Sequence, residues 1–345
     1  MSIRRIVLLL AAALVMLLIL PVLGRYGAYI VYVITIASIG ALALNLLTGY
    51  CGQISFCHGA LLGVGAYTAG NLGNAGLDMS MALAGAAMMT ASVSVLVGLP
   101  ALRLQGLYFA MATLAAQFIL EYLFRLLEPL THGVSGLMVQ PAHFLGMDLS
   151  NDRGYAAIAI GLLALSLIAV SRILRTDVGR RFILIRDSEI VARGMGINVA
   201  RTKLWAFAFS GALAGLAGGL LAFTTRIAAP EAFEIALSVD YVAMIIVGGL
   251  GSLTGSVIGA CFVVLLPEIA QRLGEAMGAE AETAAIREMV FGLLVIVFLI
   301  YEPRGLHSLL GRAIRRLRQG RRGGGGLGPI PQHGNPRPST RTEID

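Results

Sequence analysis

Long apolar runs follow one another along most of this chain, separated by short polar segments. Seven of them approach the length of a membrane-crossing helix, and they occupy residues 6–23, 26–47, 79–100, 107–127, 155–174, 204–224 and 286–301. An α-helix of about 20 apolar residues spans the hydrocarbon core of a bilayer. The pattern therefore predicts an all-α, polytopic integral membrane protein.

Three further features decide the number of crossings. Residues 241–266 are apolar but contain GGLGSLTG in their middle, which predicts two short spans joined near the cytoplasmic side. The run 6–23 follows a short basic leader, residues 1–5, and lacks a small-residue cleavage site, which favours an uncleaved first span over a signal peptide. If the glycine-rich residues 51–73 cross fully, the chain crosses about ten times and both termini are cytoplasmic.

Glycine is concentrated in two stretches that predict close helix packing. Residues 48–70 contain six glycines, too many for a helix that faces lipid. Such a stretch suits either burial against neighbouring helices or a break that lines a cavity. Gly211, Gly215 and Gly219 recur every four residues on one face of the predicted span 204–224, where small side chains let helix backbones approach each other.

The segment 172–203 is the most highly charged interval between two apolar blocks. It carries eight Lys or Arg residues against three acids, and it contains Lys203, the only lysine of the chain. A basic loop between apolar spans is expected on the cytoplasmic side of the membrane. The loop 172–203 is therefore predicted to be cytoplasmic.

A short helix is predicted within this loop. Its N-cap is Asp187 or Ser188, Glu189 lies in its first turn, and Gly194 and Gly196 end it. The capping residues and the glycines indicate a stiff element that is held outside the membrane.

The remaining charges indicate which polar segments share a side. Residues 128–153 and 267–285 are acidic on balance and are expected outside, whereas 304–322 carries seven arginines and is expected in the cytoplasm. The tail 307–345 is basic and rich in Gly and Pro, which predicts a disordered cytoplasmic segment.

Composition excludes several classes of protein. The chain has 345 residues, of which 57% are hydrophobic and 13% charged, whereas soluble domains are about 25% charged. The net charge of +7 suits contact with anionic lipid rather than with nucleic acid. The three cysteines suggest neither a disulfide framework nor a CxxC metal site. Lys203 follows Thr202, so the Gly-Lys-Ser/Thr core of a Walker A motif is absent.

Ionisable residues within the apolar runs are few. His58 lies in the glycine-rich stretch, where it could act in a proton relay, line a pore or make a helix-to-helix hydrogen bond. Glu121 and Arg125 are one helical turn apart and are expected to neutralise each other. The scarcity of membrane carboxylates argues against a proton-driven secondary transporter.

Long motifs in a fixed order resemble one family of membrane proteins. They are NLLTGYCGQISFCHGALLGVGAYTAG at 45–70, LRLQGLYFAMATLA at 102–115, IRDSEIVARGMGINVARTKLWAFAFSGALAGLAGGLLA at 185–222, VGGLGSLTGSVIGA at 247–260 and REMVFGLLVIVFLIYEPRGL at 287–306. Together they resemble the branched-chain amino-acid ABC importer permeases of the LivM type. The resemblance implies a type II-like importer with two related permeases, two cytoplasmic ATPases and a periplasmic binding protein.

The chain departs from this family pattern at a few positions near the expected pathway. They are Cys51, Phe56 and Cys57, where small or Leu/Gly residues are more usual, and His132, which replaces a glycine. The related urea permeases share most of the motifs. These departures therefore leave the substrate open.

The resemblance assigns two groups of residues. Those that would couple transport to the ATPases are Arg186, Asp187, Ser188, Glu189, Ala192, Gly194 and Gly196. Those that would line or pack the pathway are Asn45, Gly49, Gly52, Gln53, Ser55, His58, Gly59, Gly65, Tyr67, Gly248, Gly249 and Gly251. Neither group contains a catalytic residue or a metal ligand, and the partner subunits would bind the ATP.

The sequence thus predicts a transport subunit without an active site, built as a permease domain over 6–306. It would move branched-chain amino acids across the bacterial inner membrane together with a LivH-like permease, two ATPases and a binding protein. A urea or short-amide permease of the same family is one alternative. A passive channel is another, and it would differ by needing no ATPase.

Overall fold

A computed structural model describes residues 24–141, 143–144, 147–148 and 152–276, together with 16, 20 and 292. Apart from those three single positions, the predicted spans 6–23 and 286–301 lie outside the described residues. The leader 1–5, the arginine-rich segment 304–322 and the tail 307–345 also lie outside them.

Helices form nearly all of the described structure. They are α1 (Arg25–Asn45), α2 (His58–Asn74), α3 (Met79–Gly98), α4 (Leu107–Leu126), α5 (Glu128–Thr131), α6 (Asp152–Ile173), α7 (Asp177–Asp187), α8 (Glu189–Gly194), α9 (Val199–Thr225), α10 (Ile235–Gly248) and α11 (Leu253–Ala276). A π-helical turn, Leu46–Tyr50, extends α1, and 3₁₀ turns cover Leu99–Leu102, Gly133–Ser135 and Pro230–Phe233. The all-α fold class is confirmed.

Short strands occur only as two-residue pairs within the described part of the chain. β1 (Leu137–Met138) pairs antiparallel with β4 (Ile227–Ala228), and β2 (His143–Phe144) pairs with β3 (Met147–Asp148). The first pair joins the segment that follows α5 to the segment that follows α9. These pairs lie in polar connections between helices and do not change the helical architecture.

Five of the described helices are long and apolar enough to cross a membrane. They are Tyr26–Tyr50, Met79–Leu102, Leu107–Leu126, Arg153–Ile173 and Val199–Thr225. Each coincides closely with a predicted span, because the length of an apolar run alone sets the length of a spanning helix. The chain is therefore a multi-pass membrane protein, while the count of ten crossings stays a prediction.

Helix α6 runs from one end of the bundle to the other. The 22 residues of α6 rise about 33 Å, from the strands near Asp148 to the start of α7. We call the end that holds α7 and α8 the α8 end, and the opposite end, which holds β1 and β4, the β1 end.

Helix α9 lies at the centre and packs along α1, α2 and α3. The predicted glycine stripe is confirmed as a close-packing face. A Cβ at Gly211 would lie 2.8 Å from the carbonyl oxygen of Thr90, and one at Gly219 would lie 2.8 Å from Leu83. The backbone of α9 therefore rests almost directly on α3, which is how small residues stabilise helix pairs in membranes.

The glycine-rich segment 51–73 passes from one end of the bundle to the other, and its continuous helix starts only at His58. Gly52 contacts Arg186 at the α8 end, and the Asn74 side-chain amide donates to the Met138 carbonyl, 2.7 Å away, at the β1 end. Between them α2 begins at His58, which faces Gly40 in the middle of α1. The segment thus consists of six non-helical residues, 52–57, followed by helix α2.

The break inside the predicted run 241–266 is confirmed, with α10 ending at Gly248 and α11 starting at Leu253. The end predicted for this run is wrong, because α11 continues through Pro267 to Ala276. The first part of the predicted external loop 267–285 is therefore helix. A proline removes one helical hydrogen bond, and packed membrane helices tolerate that loss.

Most of the loop 172–203 is helical, whereas only one short helix was predicted in it. It contains α7, which was not predicted, the predicted α8, and the first turn of α9. Helix α7 is amphipathic: it buries Phe182 and Ile185 and exposes its arginines. The amphipathic pattern of α7 was not recognised in the sequence because so many residues of this loop are charged.

Candidate functional site

Helices α7 and α8 meet in a sharp corner at the α8 end. Ser188 is extended between them, with φ −163°, and its Oγ accepts a hydrogen bond from the Val191 backbone N–H at 3.4 Å. Ser188 is therefore the N-cap of α8, as predicted, whereas Asp187 is the last residue of α7 and pairs with Arg186 at 2.9 Å. Gly196, with φ +78°, turns the chain towards α9.

The underside of α8 is attached to its neighbours by apolar packing. Ala192 is fully buried and forms a small cluster with Ile185 of α7 and Val199 of α9. Its position explains why a small residue is needed there. Ala192 acts as a packing residue of α8 and does not face outwards.

The outer face of α8 is apolar and open. Ile190 is 84% exposed, Met195 66% and Val191 53%. Arg186 and Arg193 flank this face, and their side chains are partly exposed. We call Ile190, Val191 and Met195 the α8 patch. Exposed apolar side chains surrounded by polar residues mark surfaces that bind a partner.

Glu189 does not belong to this outer face. Its carboxylate forms an ion pair with Lys203 and also accepts a hydrogen bond from the Gln105 side-chain amide at 2.7 Å. Arg193, one helical turn further along α8, also pairs with this carboxylate, with Nη2 3.6 Å from Oε2. Lys203 is nearly buried, with 2% of its side chain exposed, and also donates to the Ala101 carbonyl at 3.3 Å.

The sequence analysis missed the role of Lys203 because it counted this residue among the exposed charges of the loop. A signal was present in the helical spacing. Lys203 lies three, four and seven residues before Ala206, Phe207 and Ser210, all of which are buried. Positions with that spacing share one helix face, so Lys203 lies on the packed side of α9.

The predicted pathway residues near the end of α1 meet at one junction. The Asn45 amide donates to the Ser252 carbonyl at 2.9 Å and to Ser256 Oγ at 2.7 Å, and its oxygen accepts from the Gly251 N–H at 2.8 Å. Gly49 packs directly against Gly251. Asn45 thereby satisfies the backbone groups that are freed where α10 and α11 break.

The glycines of this break are required by its backbone. Gly249 and Gly251 have φ values of +112° and +71°, a region that side chains rarely adopt. Gly248 approaches the backbone of Gly255 in the next helix. The three residues therefore pack and shape the junction.

Arg186 links the predicted coupling residues to this junction. Its guanidinium donates to the Gly49 carbonyl at 3.1 Å, and its aliphatic part lies against Gly52. The two groups of residues that the resemblance assigned are thus in direct contact. The contact runs from α7 to the turn that follows α1.

Side chains from two other helices cap the start of α2. Ser238 Oγ accepts from the Gly59 N–H at 2.7 Å, and Gln117 Oε1 accepts from the Ala60 N–H at 3.0 Å. The Gln117 amide also donates to the Phe233 carbonyl and to Glu121, each at 2.8 Å. Because buried helix ends need such partners, Gln117 holds this break together.

Gln117 was missed by the sequence analysis although a signal existed. Thr113, Gln117, Glu121 and Arg125 recur every four residues on one face of α4. The predicted pairing of Glu121 with Arg125 is wrong. Arg125 instead pairs with Glu234 at 3.1 Å, and Glu121 accepts the hydrogen bond from Gln117. A residue from another part of the chain thus replaced the local partner of Arg125, whereas Glu121 kept a local partner in Gln117.

His58 makes a helix-to-helix hydrogen bond. It is buried, its Nε2 lies 2.9 Å from the Gly40 carbonyl, and its ring meets Tyr241 edge-on with centroids 5.1 Å apart. Among the three roles considered for it, the contacts support this one. It positions α2 against α1 and α10.

The other predicted pathway residues are also packed. Gln53 and Ser55 are buried in the extended segment, where Ser55 Oγ accepts from the Cys57 N–H at 3.4 Å. A Cβ at Gly65 would lie 2.6 Å from the Cα of Gly215. The Tyr67 ring packs against Phe124 at a tilt of 46°, with centroids 5.0 Å apart. Within the described part of the chain, these residues fill the space between helices and no group of three His, Cys, Asp or Glu could hold a metal.

Comparison with known proteins agrees with this architecture. The family described as branched-chain amino acid transport system / permease component matches residues 26–299. The high-affinity branched-chain amino acid permease protein LivM of Escherichia coli K12 is 30% identical over 290 residues, which cover 77% of this chain and 66% of that protein. The Salmonella typhimurium LivM protein is 29% identical over the same shares.

More distant relatives share shorter segments. A probable LivH permease of Methanocaldococcus jannaschii is 28% identical over 60% of this chain and 65% of its own length. No solved structure gave a significant match. The match of most of the chain to one family is decisive: this protein belongs to the branched-chain amino acid transport permeases of the LivM type.

Proposed function

We propose that this chain is one membrane subunit of an ABC importer that carries branched-chain amino acids across the bacterial inner membrane. Two partner subunits would hydrolyse the ATP. The observation that carries the proposal is α8, a capped helix with an open apolar face, in a permease of this family. The LivM relatives suggest the substrate class.

The α8 patch fits a groove on an ATPase. Ile190, Val191 and Met195 would enter an apolar floor, and Arg193, whose side chain is 60% exposed, would face acidic side chains at its rim. Apolar anchors in a pocket supply most of the affinity of such contacts, while rim charges set orientation. A helix laid in a groove is a common mode of recognition.

Closure of the two ATPases on ATP would move these grooves and carry α8 with them. Helix α8 is joined to α7 and α9 through Ala192, and α7 is joined to the junction at Gly49 through Arg186. The spans would then move as packed bodies. The proposal assigns to this chain the conversion of that movement into an opening between two permeases.

The remaining partners follow from the family. A LivH-like permease would form the second half of the pathway, and a periplasmic binding protein would deliver the substrate and set most of its specificity. The α8 end would lie in the cytoplasm, as would both termini. The chain itself would bind no nucleotide or other cofactor.

Reconstitution tests the proposal. We expect proteoliposomes that contain this chain, its LivH-like partner and both ATPases to take up leucine when ATP and the binding protein are present. This chain alone should transport nothing. Uptake of urea or a short amide instead of leucine would support the alternative within the family, and gradient-driven uptake by the lone chain would support a channel.

A further inference from the structure

We propose that Glu189 and Lys203 are positioning residues that fix α8 to α9 and to the connection between α3 and α4. Through this ion pair, a displacement of α8 becomes a displacement of those three spans. The inference rests on the proposed function, because it concerns how movement of α8 reaches the membrane.

Three elements meet at the Glu189 carboxylate. One oxygen pairs with Lys203 of α9, and the other accepts from Gln105, which lies just before α4. Lys203 also reaches Ala101 in the 3₁₀ turn that follows α3. Apolar packing through Ala192 joins α8 only to α7 and the start of α9. The ion pair therefore adds the α3–α4 connection to what α8 can move.

Glu189 is unsuited to binding a partner directly. Only 18% of its side chain is exposed, and both oxygens are already bound by residues of this chain. The exposed face of α8 is formed by the α8 patch instead. The carboxylate consequently acts through Lys203 rather than through the partner surface.

Beyond its first turn, α9 is packed closely against α3, so a displacement of that turn should move both helices. Beyond Lys203, the Ser94 hydroxyl of α3 donates to the Phe207 carbonyl at 2.8 Å, and a Cβ at Gly98 would lie 2.6 Å from the Phe207 ring. Close packing of α9 on α3 continues through Gly211 and Gly215. Such packed interfaces shift as units.

The buried charges fix one geometry of α8. A buried ion pair contributes little net stability compared with an apolar pair of similar size, and removing one partner leaves an uncompensated charge. Single variants would therefore confuse folding with coupling. The informative variant is the double change Glu189→Gln with Lys203→Met, which leaves no buried charge unpaired, since the Arg193 side chain that also pairs with Glu189 is 60% exposed.

The experiment compares the reconstituted importer with this double variant and with the conservative variant Lys203→Arg. We expect the double variant to assemble and to keep its ATPase rate, but to transport about tenfold less leucine per ATP. Coupling between two sites of a protein typically changes an affinity about 5–150-fold, and a tenfold loss lies within that range. The conservative Lys203→Arg keeps the positive charge and a donor for the Ala101 carbonyl, so it should retain most of the ratio. A cavity of about 150 Å³ beside Lys203, lined in part by Ala101 and Ala200, has room for the arginine.

The control is Arg201→Gln, which removes an exposed positive charge two residues from Lys203 and should leave the ratio unchanged. A wild-type ratio in the double variant would overturn the inference and reduce the pair to a structural contact. Equal loss in the double variant and in Lys203→Arg would do the same.

A second readout does not depend on transport. Amide hydrogen exchange in the purified chain should be faster across α8 in the double variant, while exchange within α9 stays unchanged. If the wild-type importer moves no leucine, the proposed function fails, but this exchange difference still decides the inference. Unchanged protection of α8 would overturn it.

Discussion

At the scale of single residues, Gly52 combines a positive φ with a close contact to another helix. Its φ is +74°, and a Cβ would lie 3.0 Å from Cγ of Arg186. We expect Gly52→Ala to lower the midpoint of thermal unfolding of the purified chain, because the left-handed backbone costs about 1 kcal/mol and Arg186 is displaced from Gly49. Leucine uptake should fall as well.

Two matched variants separate these causes. Gly196 has φ +78° but open space around it, and Gly194 lies in helix α8 with open space. Gly196→Ala should therefore show the backbone cost alone, and Gly194→Ala almost no loss. A loss at Gly196 as large as that at Gly52 would mean that the contact with Arg186 contributes nothing.

Gln117 supplies the second prediction at this scale. Replacing it by leucine would leave the Ala60 N–H and the Phe233 carbonyl without their partners inside the bundle. Each buried polar group left unpaired costs about 1–3 kcal/mol, so Gln117→Leu should lower thermal stability clearly. Ser92→Ala is the control, because Ser92 is exposed and bonds only within α3. Equal stability of the two variants would contradict the proposed role of Gln117.

Side chains such as Gln117 and Lys203 mark the limit of prediction from sequence at this scale. The types of residue at Ser188, Gly211 and Gly249 could be interpreted because capping, close approach and positive φ are local requirements. Apart from Glu121, the partners of Gln117 lie 57 or more residues away, and the Glu189 and Ala101 partners of Lys203 lie 14 and 102 residues away. No local pattern encodes such distances.

At the scale of elements, helix α8 is unusual because it exposes an apolar face although it lies in a highly charged loop. We expect Ile190→Asp to weaken co-purification of the ATPases by about tenfold or more, since a central apolar anchor commonly contributes over 1 kcal/mol. Ile190 is 84% exposed, so folding of the chain should be unaffected. Pull-down of tagged ATPases from membranes with matched amounts of the chain measures this effect.

Arg180→Gln is the matched control for that variant. It also changes the net charge by one negative unit, and Arg180 is an exposed residue of α7 whose pair with Asp177 lies on the surface. Normal co-purification of the Arg180 variant would assign the effect to the α8 patch. Loss in both variants would indicate that charge alone governs docking.

The elements differ in how well the sequence predicted them, and the reason is physical. Helices α3, α4 and α6 begin and end close to their predicted bounds, because the bilayer selects uninterrupted apolar runs of one length. The start of α2 could not be located, since Ser238 and Gln117 satisfy its free N–H groups from other helices. The glycine content of residues 48–70 indicated a break in the helix, but not how far along the span the break lies.

At the scale of the whole molecule, the two ends of the bundle differ in charge and in construction. The α8 end holds a segment with eight Lys or Arg residues, and Arg175, Arg180 and Arg193 are among its exposed side chains. The β1 end contains strands from the acidic segment 128–153, in which Asp148 lies. Lys and Arg near span ends are retained in the cytoplasm, so the α8 end should face inwards.

Labelling with a membrane-impermeant maleimide tests this orientation. In a Cys261→Ser background, we expect Asp148→Cys to react in intact spheroplasts and Val191→Cys to react only after permeabilisation. Cys51 and Cys57 are buried and should stay silent, which the background protein verifies. The reverse pattern would place α8 outside, away from any cytoplasmic ATPase. In that case both the orientation and the docking of α8 on an ATPase would be wrong together, because a single arrangement of the bundle determines both.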